Sequence, residues 1–169
     1  PSDGYIIDVQ GTGAQFSKAS LALDQGASMT GLTNKTSDST LNIAIANGST
    51  WDLAEKSTGA VATSNFNTLD MSTSSTLNAF KASGSANFVM NGAVNSVSST
   101  ISMQNPSGAI AGDNLSINGN YTGTEGALNL DTALGDDASI TDKLTVTGNT
   151  SGSTEIDVLN AAGAGAMTG

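Results

Sequence analysis

The sequence predicts an all-β chain that coils into a parallel β-solenoid, and three observations lead to that class. Apolar residues recur with period two in pieces of three to six residues, the pattern of a strand with one buried face and too short for an amphipathic helix. Between the pieces lie Gly, Asn, Ser and Thr, which make turns and are tolerated in strands but fill helix interiors poorly. The Asn-Gly dipeptides at 47–48 and 91–92 are irregularly placed, which argues against long matched hairpins folded into a sandwich. A coil satisfies all three if each turn gives two or three short strands, with apolar or small residues inward and polar residues at the corners. At about twenty-odd residues per turn the chain makes roughly seven or eight turns.

In chain order the strand-forming pieces are Leu21 and Leu23; Leu41, Ile43 and Ile45; Trp51 and Leu53; Phe66, Leu69 and Met71; Leu77, Phe80, Phe88 and Met90; Val94, Val97, Ile101 and Met103; and Leu115 and Ile117. Trp51, with Leu53 two residues on and on the same face, reads as core in preference to a sugar-stacking platform. Between Met71 and Gly112 there is no acid and only one base, Lys81, whereas eight of the 15 acids lie from Asp113 onward. There the strands lengthen. Leu128, Leu130 and Leu134 share a face opposite Asn129 and Asp131, and Leu144 with Val146, then Ile156 with Val158, repeat the pattern. The chain therefore divides into solenoid turns over residues 1–120 and a distinct C-terminal segment over 121–169. Tyr121, Leu128, Leu130, Leu134, Leu144, Val146, Ile156 and Val158, with Trp51 and Leu53 upstream, form the expected folding core. A one-dimensional stack must nucleate somewhere, and the turn with the densest apolar face is the natural place. An open solenoid end exposes unpaired backbone groups. The strands about residues 128–134 and 144–147, joined by the acidic loop "GDDAS", are expected to blunt that end as a hairpin-like cap.

Composition narrows the function. Fifteen acids against five lysines and no arginine, with a net charge of -10, remove the groups that grip phosphate, so nucleic acid is excluded as a partner. The lysines are scattered, which leaves no basic patch for an anionic membrane. Without Cys or His there are no disulfides, thiolate metal sites or Cys nucleophiles, and the commonest general base and metal ligand is missing. Such a chain is typical of large exported bacterial surface proteins. It has no signal peptide and no apolar run long enough to span a bilayer. It begins at Pro1 and stops inside "GAGAMTG", and reads as a fragment of something longer.

The candidate chemical sites each have a plainer reading. Asp131, Asp136, Asp137 and Asp142 could surround Ca²⁺, which prefers several carboxylate and carbonyl oxygens, but their spacing matches neither an EF-hand nor the Ca²⁺-binding solenoid repeat; a solvated turn is preferred. Asp52 and Glu55 with Lys56 are the one upstream group resembling the paired carboxylates of a polysaccharide-cleaving solenoid, and an exposed corner explains them equally well. Gly11-Thr12-Gly13 and Gly163-Ala164-Gly165 lack the strand-to-helix context of a phosphate loop and read as flexible corners. The acceptor triplets Asn47-Gly48-Ser49 and Asn114-Leu115-Ser116 read as polar corners. No catalytic residue, metal or cofactor is expected.

"NGSTWDLAEKSTGA", then "FNTLDMSTSSTLNAF", then "GNYTGTEGALNLDTALGDDASITDKLTVTGNTSGSTEIDVLNAAGAGA" together resemble the C-terminal passenger region of pertactin-like and AIDA-like autotransporters. The resemblance covers about residues 47–165, is weaker over 81–119 and is most specific from Tyr121 through "LGDDASITDKLTVTG" to "SGST". It implies a right-handed parallel β-helix displayed by a Gram-negative bacterium through type V secretion, at the cell surface or released after cleavage. A linker helix and an outer-membrane β-barrel translocator would lie downstream. In that family this region is an autochaperone, which exits the barrel early, folds first and templates the upstream passenger of the same chain. The alternative is an adhesin module whose solenoid face binds glycan, protein or a second copy of itself; an enzyme is the remotest option.

Overall fold

The computed structural model describes residues 4–54 and 60–165. Among them there is no helix. In order the strands are β1 (Tyr5–Val9), β2 (Lys18–Leu23), β3 (Ser28–Thr30), β4 (Leu32–Lys35), β5 (Thr40–Ile45), β6 (Thr50–Asp52), β7 (Ala62–Ser72), β8 (Thr76–Asn78), β9 (Asn87–Val97), β10 (Thr100–Ser102), β11 (Asn114–Asn118), β12 (Tyr121–Ala133), β13 (Lys143–Val146) and β14 (Thr150–Ala162). Every ladder between them is parallel, which is the solenoid the alternation predicts.

The strands stack on three faces. One holds β1, β4, the start of β7, the start of β9, β11 and β13. The second holds β2, β5, the end of β7, the end of β9, and the starts of β12 and β14. The third holds β3, β6, β8, β10, and the later parts of β12 and β14. On the second face the register aligns Leu21, Ile43, Leu69, Val94, Tyr121 and Thr150. These positions fall 22, 26, 25, 27 and 29 residues apart. The stack therefore has about six turns, fewer than seven or eight, because corner segments such as residues 103–113 and 134–142 lengthen each turn.

Alternation puts the core inside. In β5, Leu41, Ile43 and Ile45 are buried while Asn42 and Ala44 face out, as the two-residue period of an extended chain requires. Trp51 and Phe66 meet edge-to-face with centroids 6.1 Å apart. The Trp51 indole N–H donates to the Gly31 carbonyl at 2.9 Å, which satisfies its buried polar end.

The corner between the second and third faces explains the long strands. At residues 24–27, 46–49 and 72–75 it is a four-residue turn closed by a backbone bond, with positive φ at Gln25 and Gly26, Asn47 and Gly48, and Thr73 and Ser74. Further along it shrinks to single left-handed residues, Ser98 and Glu125, so β12 runs through the corner with only a register shift between Gly123 and Gly126. Asn47-Gly48 thus turns the chain between faces of one rung.

The C-terminal end is hairpin-like only at the acidic loop, where the backbone N–H groups of Ala133 and Asp142 donate to the carbonyls of Ile140 and Asp131. β12 and β13 occupy different faces; the chain between them makes one antiparallel bridge, Thr132 with Thr141, and β14 instead adds to β12 in parallel. Fifteen residues separate the two inward patterns of Leu128 and Leu144 along the chain, enough to pass the corner and begin the next rung.

Candidate functional site

The inward columns run out at the C-terminal end. On the third face Met29, Trp51, Leu77, Ile101, Leu128 and Ile156 stack in register. Trp51, Leu77 and Ile101 are fully buried, Leu128 nearly so, and Ile156 is 62% exposed. The same holds on the first face, where Phe88 and Leu115 are buried and Leu144 is half-buried. A cavity of about 300 Å³ opens there, lined by Tyr121, Leu144, Val146, Thr150, Gly152 and Thr154.

The expected folding core is thus split. Trp51, Leu53, Tyr121 and Leu128 are buried. Leu130, Leu144 and Val146 are half-buried and packed against the core. Leu134, Ile156 and Val158 are exposed, contrary to the expectation that they are core: Ile156 and Val158 lie on the last strand, with a rung on one side only, and Leu134 lies past the end of β12 in the exposed corner 134–138. The fully buried large side chains, Trp51, Phe66, Leu69, Phe88 and Ile101 among them, belong to the middle rungs, so the densest core is not over residues 121–160.

The acids also depart from expectation. Asp131 and Asp142 are buried rather than solvated, and Asp113 joins them. Asp113 accepts the Lys81 N–H at Oδ2 (3.0 Å) and the Ala86 N–H at Oδ1 (2.7 Å). Asp131 accepts the Asn105 and Ile110 N–H groups at Oδ2, both at 3.1 Å, while its buried Oδ1 has no hydrogen-bond partner. Asp142 accepts from Gly112 (2.8 Å), Asp113 (2.9 Å) and Asp131 (2.8 Å). Burial pushes the Asp142 carboxyl up, opposed by those N–H bonds. A carboxylate answers backbone donors that no strand would otherwise satisfy at a corner. The readable signal was a repeat, "DNLSI" at 113–117 and "DKLTV" at 142–146, which places each Asp just before a strand of the first face.

Of the remaining candidates, Asp136 accepts the Ala138 N–H of its own turn and Asp137 is exposed. Among the described residues no group of three or more acids is placed to hold a metal. The Asp52 carboxylate accepts the Asn78 amide at 2.6 Å on the next rung; Glu55 and Lys56 lie outside the described residues. At Gly11-Thr12-Gly13, the Gly11 N–H donates to the Thr36 hydroxyl and the Gly13 N–H to Asp38, so this corner is tied to the next rung. In Gly163-Ala164-Gly165, the Gly165 N–H donates to the Leu134 carbonyl.

Residues 89–169 match the family of Autochaperone Domain Type 1, and they contain the three buried aspartates and the open end. This C-terminal segment resembles an autotransporter autochaperone. The relatives are named as autotransporters. The chain is 46% identical over 67 residues to the adhesin BmaC autotransporter of Brucella suis, covering 37% of this chain and 2% of that protein. It is 41% identical over 83 residues to the probable autotransporter YfaL of Escherichia coli, 49% of this chain and 6% of that one. It is 45% identical over 65 residues to the autotransporter adhesin AIDA-I of Escherichia coli, 38% and 5%. The chain spans no more than 6% of the length of these three. No solved structure matches it significantly.

Proposed function

We propose that the autochaperone-like segment acts as the folding seed of a bacterial surface passenger, an intramolecular chaperone that orders the upstream turns as they emerge from an outer-membrane β-barrel encoded downstream. The observation that carries this reading is the β12–β14 ladder inside the matched segment. It has eleven registered pairs, against nine for β7 with β9, on strands that begin 29 residues apart at Tyr121 and Thr150, the widest spacing in the stack. Closing a turn of that length costs little more than closing the shorter ones, because closure entropy grows only slowly with length, and the long ladder then offers the next rung a formed edge. The partners are then the upstream passenger of the same chain and the translocator, the site of action is the cell surface, and the role is not enzymatic. Within this class the run from Tyr121 looks most like the autochaperone of the Shigella actin-motility autotransporter, and that narrower kinship is part of the proposal.

A second reading, adhesion or self-association through the solenoid face, draws on the adhesin names of two relatives. One experiment separates them. Residues 89–165 are deleted from the full-length protein, and the upstream passenger is assayed on intact cells with antibody and protease. The folding-seed reading expects loss of display or a protease-sensitive passenger. A passenger displayed in normal amount and protease-resistant, but unable to adhere, would overturn it in favour of adhesion.

A further inference from the structure

The three buried aspartates form one connected arrangement. In the stacking register Asn87, Asn114 and Lys143 lie above one another, so the residues just before them, Ala86, Asp113 and Asp142, do too. The Asp142 Oδ1 accepts the N–H of Asp113, and the Asp113 Oδ1 accepts the N–H of Ala86. The contact repeats rung on rung, always from carboxylate to the N–H of the rung before it. Each carboxylate also reaches along its upstream corner. Asp113 takes the N–H groups of residues 81 and 86, and Asp131 those of residues 105 and 110, two donors five residues apart in both cases. Asp142 holds the backbone of both clamps, at Asp113 and at Asp131.

We infer that Asp142, Asp113 and Asp131 form a relay by which the autochaperone-like segment grips the corner of the rung just upstream of it. Asp113 is its outgoing contact and the loop carrying the N–H groups of Lys81 and Ala86 is its partner. That loop lies outside the matched residues 89–169, while all three acids lie inside, so the grip crosses the boundary. Its direction, from downstream rung to upstream, rests on the folding-seed reading; its existence does not. The partner is defined chemically as a corner presenting two converging backbone donors. An acceptor-only carboxylate suits two donors, whereas the amide of Asn offers one oxygen and sets its NH₂ against the second N–H. Position 86 is itself an alanine, so this column of acids starts at Asp113.

Trypsin reads the grip directly, because the chain has five lysines and no arginine and Lys81 sits in the gripped corner. In the purified chain Asp113→Asn should raise cleavage after Lys81 by about tenfold or more, the change in open population expected for losing one charge-assisted hydrogen bond. Cleavage after Lys18 should stay at the wild-type rate. Asp142→Asn should expose Lys81 as well, through the backbone of Asp113, whereas Asp136→Asn should not. Equal cleavage after Lys81 in wild type and Asp113→Asn would overturn the grip, and exposure by Asp113→Asn but not by Asp142→Asn would overturn the relay. Should Asp113→Asn unfold the chain, hydrogen exchange of the wild type decides: the amides of Lys81 and Ala86 must exchange as slowly as that of Asp113 and more slowly than those of Ser83 and Gly84. Exchange at the rate of those loop neighbours overturns the inference. These arms need no export, so a failure of passenger display in cells remains a separate result.

Discussion

Leu77 and Ile156 occupy the same inward column, yet one is fully buried and the other mostly exposed. Truncation to alanine should therefore differ: Leu77→Ala should cost about 2–5 kcal/mol through lost burial and a cavity, and Ile156→Ala below about 1 kcal/mol. Urea unfolding followed by circular dichroism measures both, and equal losses would contradict the open end. Two acids titrate in opposite senses. Hydrogen bonds from the Thr36 hydroxyl and the Gly13 N–H hold Asp38 below its ordinary value of 3.8, so its contribution to stability is full above that value and is lost as the pH falls through the folded value. Burial raises Asp142, so its contribution is full below 3.8 and is lost as the pH rises through the raised value. The stability difference between wild type and Asp38→Asn should consequently shrink on acidification below 3.8. A difference that grows there would refute the assignment.

The corners decide which strands can stack. Between the first two faces Gly92, Gly119 and Gly148 lie one above another so closely that a Cβ at Gly119 would stand 2.2 Å from the Gly92 carbonyl oxygen, and one at Gly148 2.4 Å from that of Gly119. Gly119→Ala must push two rungs apart, and should cost about 1–3 kcal/mol or more, read as a lowered urea midpoint with unchanged slope. Beside this column runs a ladder of amides, in which Asn118 donates to Asn91 (2.9 Å), Asn91 to Asn65 (2.7 Å), Asn65 to Asn34 (2.8 Å) and Asn34 to Asp8 (3.0 Å). Such ladders pair the polar corner of each rung with the next and so help to hold the register that buries the columns inside.

In the whole stack each rung leans only on its neighbours, so terminal rungs open more easily than central ones. Hydrogen exchange should be slowest in β7 and β9, where the fully buried side chains concentrate, and fast along β14. Equilibrium protection follows burial, whereas a folding seed is defined by which segment orders first. Slowest exchange along β14 would mean that another element covers the end in solution. The melting temperature should be the same in EDTA and in millimolar Ca²⁺, since the carboxylates of Asp131 and Asp142 are spent on backbone N–H groups. A marked rise with Ca²⁺ would show binding to the folded state by mass action.

The alternation of Leu41, Ile43 and Ile45 with Asn42 and Ala44 was enough to establish strands with one buried face, because side-chain direction along an extended chain is a local property. Short pieces and polar corners were likewise enough for a solenoid, and the run after Tyr121 was enough for the resemblance to autochaperones. Burial is different in kind. Leu128 and Ile156 carry the same local pattern, and only the stacking decides that Leu128 has a rung on either side while Ile156 has one. The number of turns depended on corner lengths that apolar periodicity does not report. The fate of Asp131 and Asp142 depended on backbone donors 20 to 30 residues away in sequence, brought to hydrogen-bond distance by the coil. A carboxylate reads as solvated until the fold supplies N–H groups for it, and here the parallel stack supplies them.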